Sequence, residues 1–185
     1  MKKALVVYTN GTEDIEVTAT VDVLHRGGVE IVKAAVTDDT SRNVTLAHGT
    51  SVNCDLSIDE VNDTFDIIVL PGGPGTANLN KSTKLFELLL AQKVSRRYIG
   101  AICAAPGIVL YPYGIIDDLT RATVYPGCEN GKTNFSKKGV EVSDDGLVIT
   151  GKAPGYAISF ALTILKALEG PERAEKVAAD MMFQE

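Results

Sequence analysis

Short, nearly uninterrupted apolar runs, separated by stretches with helical spacing, constrain this chain more than any other feature. Ala4-Leu5-Val6-Val7-Tyr8, Ile67-Ile68-Val69-Leu70 and Tyr98-Ile99-Gly100-Ala101-Ile102 carry apolar side chains at successive positions. Such strands need cover on both faces, which is the habit of parallel sheets; antiparallel strands usually keep a wet face and alternate. Val17, Thr20, Val21, Leu24 and Gly28 recur at helical spacing, and Leu85, Leu88 and Leu89 share one helical face within Lys84 to Val94. Alternation of the two patterns predicts an α/β fold: a mainly parallel central sheet with helices on both faces.

Local signals fill in the order. Thr12 is read as the cap of a first helix that Gly27-Gly28 closes. Val29 to Val36 is a second strand, and Val44 to Cys54 a short hairpin. Ala104 to Leu110 is expected to be helical, Arg121 to Tyr125 and Leu147 to Thr150 to be strands, and Tyr156 to Leu168 a helix. Pro171 suits the first position of a last helix. No linker or repeat interrupts the pattern, so residues 1–185 are expected to form one domain.

Composition narrows the function classes. A formal charge of −6, with no run of Lys and Arg, excludes an electrostatic nucleic-acid surface. The apolar runs fall short of the roughly 20 residues that span a bilayer, so no membrane span is expected. The run after Met1-Lys2-Lys3 reads as a first strand and not as a signal peptide, which places the protein in the cytoplasm. Cys54, Cys103 and Cys128 are few, odd in number and far apart, as expected of free thiols in a reducing compartment. They lack the paired spacing of a zinc site, and no metal or other cofactor is expected.

In open α/β sheets, sites form at the carboxyl ends of strands, where strand order reverses. Cys103 follows a buried strand among small residues, Ala101-Ile102-Cys103-Ala104-Ala105-Pro106. A sharp strand-turn-helix projects one side chain above the sheet, as nucleophile elbows do. The positive end of the next helix is expected to lower the thiol pKa and make Cys103 a reactive thiolate. A buried structural cysteine is the alternative. Gly72-Gly73, after the strand ending at Leu70, allows close backbone approach, and with the Ala104 amide would bind an oxyanion. Glu16 is in register with the inward Thr20 and Val23; burial would keep it protonated beside the thiol. Glu13 and Asp14 are read as helix-start charges.

Four segments in order resemble the ThiJ/PfpI superfamily, closest to its branch of parkinsonism-associated proteins and their bacterial relatives. They are Asn10-Gly11-Thr12-Glu13-Asp14-Ile15-Glu16, Leu70-Pro71-Gly72-Gly73, Ala101 to Pro106, and Ala153-Pro154-Gly155 with Ser159-Phe160-Ala161-Leu162. The resemblance implies a flavodoxin-like sandwich and a homodimer, with Arg26 near its interface. It implies Cys103 as nucleophile and oxidation-sensitive thiol, Glu16 as a protonated carboxyl beside it, and Gly72, Gly73 and Ala104 as the oxyanion pocket. The activities it implies are cofactor-free glyoxalase action on small 2-oxoaldehydes such as methylglyoxal, deglycase action, and oxidative-stress protection.

One departure matters. Many relatives carry a His-Pro pair after the next strand, where this chain has Tyr125-Pro126. Tyr125 can hydrogen-bond a substrate oxygen, but a phenol near ~10 is a poor base. The only histidines, His25 and His48, are read as surface or interface residues. Without a partner histidine, protease and amidase chemistry are excluded. Cys128, three residues beyond Tyr125, is an incidental loop cysteine or a resolving thiol. Three functions compete: a cysteine-dependent carbonyl enzyme, a redox sensor or stress chaperone, and a partner-binding module with a vestigial site.

Overall fold

The apolar runs pair as expected. In the computed structural model, which describes residues 1–184, strand β1 (Lys3–Thr9) lies parallel to both β2 (Glu30–Val36) and β6 (Ile67–Leu70). β7 (Tyr98–Ile102) follows β6, and β9 (Val148–Gly151) follows β7, both in parallel. The two-residue β5 (Leu56–Ser57) closes one edge beside β2. β8 (Val140–Val142) closes the other edge and runs antiparallel to β9. The sheet order is β5-β2-β1-β6-β7-β9-β8. β3 (Asn43–Thr45) and β4 (Ser51–Asn53) form the separate antiparallel hairpin foreseen between Val44 and Cys54.

Strand alternation sorts the core into two layers. Ala4, Val6 and Tyr8 of β1 meet Ile67 and Val69 of β6 on one face. They pack against α1 (Asp14–Arg26), α3 (Ala157–Glu169) and α4 (Pro171–Asp180), through Val17, Leu24, Phe160, Ile164 and Val177. Leu5, Val7, Ile68 and Leu70 face the other layer, with Leu85 and Leu89 of α2 (Thr83–Val94) and Val109 and Leu110. Burying an apolar side chain of this size contributes about 1.5–3 kcal/mol, so each of these residues supports the three-layer arrangement.

Two expectations fail here. Arg121 to Tyr125 forms no strand; it makes a single bridge, Thr123 to Ser136. The Thr123 amide donates to the Thr150 side chain at 2.9 Å and not to a strand carbonyl, so no ladder can grow. β8, which the sequence reading missed, takes the edge position. Ala104 to Leu110 is not a regular helix but a turn leading into a five-residue π-helical segment, Pro106–Leu110.

β2 lies on one side of β1 and β6 on the other, so strand order reverses between β1 and β6. The loops after β1, β6 and β7 meet at this switch point, where crevices form in such sheets.

Candidate active site

Glu16 is placed by a cap. Glu13, not Thr12, is the N-cap of α1: it is extended, and its Oε2 accepts from the Glu16 amide at 2.7 Å. Thr12 instead turns its hydroxyl oxygen to the Thr9 amide at 3.0 Å, holding the loop after β1. Glu16, Thr20 and Val23 then face inward as their spacing predicts, and Glu16 is fully buried.

Two hydrogen bonds join this helix start to the loop after β6. The Glu13 amide donates to the Gly72 carbonyl at 3.0 Å, and the Gly72 amide donates to Glu16 Oε2 at 2.8 Å. Both glycines are required by space. A Cβ on Gly72 would lie 2.5 Å from Cys103 Cβ and 2.9 Å from Glu16 Oε2. Gly73 has φ +105°, and a Cβ there would lie 2.4 Å from the Gly11 carbonyl oxygen. Only glycine lets the two loops close at this distance.

Cys103 completes the cluster in a left-handed backbone conformation, φ +63°. For a residue with a Cβ this costs about 1–2 kcal/mol. The strain is held by neighbours: the Cys103 amide donates to the Gly151 carbonyl at 2.9 Å, and the Tyr125 amide donates to the Cys103 carbonyl at 2.8 Å. The amides of Gly73 and Ala104 face the sulfur and favour its anionic form. The residue is 8% exposed.

The electrostatics differ from the sequence expectation. Burial pushes the Cys103 thiol up to about 12, and the Glu16 carboxylate adds to the rise against the two amides. The positive helix end expected to acidify it is only the short π-helical segment beginning three residues on. Burial likewise pushes Glu16 up to about 7, opposed by the Gly72 amide and the thiol and aided by the Glu13 charge. Glu16 Oε1 is buried without a hydrogen-bond partner, which also favours the protonated acid. Burial therefore raises both members of the pair above their ordinary range. A thiol in contact with a carboxylate is a nucleophile with an adjacent acceptor for its proton.

The structure gathers Cys103, Glu16, Gly72, Gly73 and Ala104 at one point. Tyr125 joins through its main chain, while its side chain belongs to a residue 45% exposed. His48 is brought to the start of α1, with Nδ1 3.2 Å from Asp14 Oδ2, and its side chain stays 73% exposed. His25 and Arg26 are exposed at the far end of α1, Arg26 paired with Asp22 at 2.8 Å. Cys54 is buried elsewhere. The carbonyl of Cys128 fills the space over Gly107, where a Cβ would lie 1.8 Å away, so this half-buried cysteine packs on the segment that follows Cys103. Sequence reasoning missed Glu13 as cap and site wall; its spacing of three from Glu16 was the available signal. A groove of about 320 Å³ between α3 and α4, lined by Leu162, Lys166, Pro171 and Ala178, holds none of these residues.

Residues 2–167 match the description DJ-1/PfpI family. The chain belongs to that family. It is 38% identical over 180 residues to a protein of Caenorhabditis elegans named glutathione-independent glyoxalase DJR-1.2, covering 95% of this chain and 94% of that one. It is 32% identical to the Parkinson disease protein 7 homolog of Danio rerio, covering 100% and 98%. It matches Protein DJ-1 homolog A of Arabidopsis thaliana at 33% identity over 99% of its own length, but spans only 47% of that protein. Among solved structures, the oxidized DJ-1 of Toxoplasma gondii superposes with a TM-score of 0.92 at 32% identity, covering 100% of both chains. The flavodoxin-like architecture is thus that of the DJ-1 proteins. No helix among the described residues is long and apolar enough to cross a membrane.

Proposed function

We propose that this family member is a cofactor-free, cysteine-dependent enzyme acting on small 2-oxoaldehydes, converting methylglyoxal to lactate. The observation that carries the reading is the contact of a strained, amide-flanked thiol with a carboxyl titrating near neutrality. The glyoxalase name of the worm relative supports it.

The chemistry balances without metal or redox partner. Cys103 Sγ bonds to the aldehyde carbon as the thiol proton passes to the Glu16 carboxylate. The Gly73 and Ala104 amides, with Gly72 beside them, receive the negative charge on the former carbonyl oxygen, which then takes the proton back from Glu16, giving a hemithioacetal and restoring the carboxylate. Glu16 removes the hydrogen of that carbon as a proton and returns it to the neighbouring carbon, through an enediol. The product is a 2-hydroxy thioester, and water cleaves it to the hydroxy acid and the free thiol. One water is consumed and no electrons leave the substrate. Tyr125 hydrogen-bonds a substrate oxygen.

Purified protein without additives is expected to form lactate from methylglyoxal, and Cys103→Ala to form none above background. Equal rates in the two proteins would end the reading. We place the activity in a single-domain, cytoplasmic homodimer, with Arg26 toward the dimer contact.

The orphaned Glu16 Oε1 favours a second role of the same site. As a protonated acid it would donate to an oxygen added to the sulfur, making Cys103 an oxidation sensor. Mass spectrometry after mild peroxide should find Cys103 modified before Cys54 and Cys128. Uniform oxidation of all three would remove this role.

A further inference from the structure

Glu13 is a charged side chain at this site to which the mechanism gives no part. It is buried, and its main chain lies against both glycines: its amide bonds the Gly72 carbonyl, and a Cβ on Gly73 would lie 2.5 Å from its nitrogen. Its Oε2 is engaged by the Glu16 amide. Its Oε1 lies 3.9 Å from His48 Nδ1, beyond hydrogen-bonding distance, and that imidazole is already held by Asp14 at 3.2 Å. Among the described residues, one oxygen of this carboxylate thus has no hydrogen-bond partner, on a residue whose main chain packs against the glycines beside Cys103. Asp14 and, above neutral pH, Glu16 add further negative charge. Among the described residues, His48 is the basic side chain that lies against Glu13 and Asp14.

We propose that Glu13 is a specificity-determining residue: its fixed negative charge restricts Cys103 to electrically neutral partners, so that uncharged dicarbonyls enter and 2-oxo acids are refused. The proposal rests on the reading of Cys103 as a reactive thiol. The physical ground is that a partly buried charge is poorly screened and repels an incoming anion strongly over a few ångströms. The glycine amides do not cancel it, because that of Gly73 is directed at the sulfur and that of Gly72 at Glu16 Oε2.

The test compares two alkylating probes of the same thiol, neutral iodoacetamide and anionic iodoacetate, on the intact protein at pH 8. Both probes sample the same thiolate population, so the ratio of their rates at Cys103, normalised to a free small thiol, reads the local charge. Glu13→Gln keeps an oxygen acceptor for the Glu16 amide, and is expected to leave the melting temperature close to wild type. It should raise the iodoacetate-to-iodoacetamide ratio by roughly five- to tenfold. Asp14→Asn, on the charge already paired with His48, should raise it less. In wild type alone, raising salt from about 10 mM to about 1 M shortens the screening length from about 30 Å to about 3 Å and should lift the ratio in the same direction. A reactive Cys103 whose ratio is unchanged by Glu13→Gln and by salt overturns the proposal while leaving the proposed activity standing. A Cys103 inert to both probes removes that activity and the proposal with it.

Discussion

Cys103 and Cys54 are both buried thiols, and burial pushes both up, to about 12 and about 11. Solvation alone therefore does not distinguish them. Cys54 follows β4, with its amide on the Arg42 carbonyl, and its charged neighbours are Lys33 and Asp55. Cys103 has a left-handed backbone, two amides directed at its sulfur and a buried carboxyl beside it. A cysteine in a core is ordinary; what marks Cys103 is the carboxyl beside its sulfur and the two amides that face it. The lesson corrects the expectation of a free thiolate. Burial raises Cys103 and Glu16 together, so the two are read as a pair.

The largest effect expected from breaking this contrast is at Glu16. Glu16→Gln keeps the size and can still accept from the Gly72 amide, but it can neither take nor return a proton. Its kcat for methylglyoxal should fall by about 10²- to 10⁴-fold. Wild-type activity should rise with pH through about 7 as Glu16 ionises, whereas any residual activity of the variant should rise only at strongly alkaline pH, with the thiol itself. A wild-type profile flat from pH 6 to 9 would separate Glu16 from the chemistry. The equivalent removal at Cys54, Cys54→Ala, should leave the pH profile in place.

The same substitution should stabilise the protein. Glu16 holds its proton up to about pH 7 when folded, against 4.5 for its ordinary value. Between those limits the folded state binds the extra proton, so wild-type stability falls as pH rises through that window and stays lower above it. Gln carries no such charge. Glu16→Gln should therefore gain on the order of 3 kcal/mol over wild type at pH 8 and little at pH 4, read by urea denaturation at both pH values. A gain equal at both pH values would mean that desolvation of the carboxylate is not the cause.

A smaller effect is expected where the contrast is steric. Gly72→Ala puts a methyl 2.5 Å from Cys103 Cβ, and one of the two loops must move. Crowding of this kind costs about 1–3 kcal/mol. The loss should appear as a lower melting temperature, with reactivity of Cys103 toward iodoacetamide changed and that of unfolded-state thiols unchanged. An unaltered melting temperature would show that the loops are less tightly closed than this contact requires.

Continuous apolar runs were enough to predict a covered parallel sheet, because a strand buried on both faces has few other homes. Spacing was enough to turn Glu16 inward, and the small residues around Cys103 were enough to suggest a sharp turn. The short Arg121–Tyr125 segment shows the limit. Its β-branched Thr123 and Val124 read as strand, yet whether a ladder forms depends on a distant partner, and the Thr150 hydroxyl claims the Thr123 amide. Thr12 was misread as the cap for a related reason: Thr and Glu are both competent, and the choice falls to the neighbour whose amide needs an acceptor.

What the sequence determined by itself was the class of fold and the three segments that meet at its switch point, since periodicity and turn chemistry are local properties. What only the tertiary structure decided was the ionisation of those segments once together. Burial of Cys103 and Glu16 against each other is a long-range fact, set by β1, β6 and β7 lying side by side. It lifts both groups above their ordinary range, where local reasoning had the helix end lower the thiol.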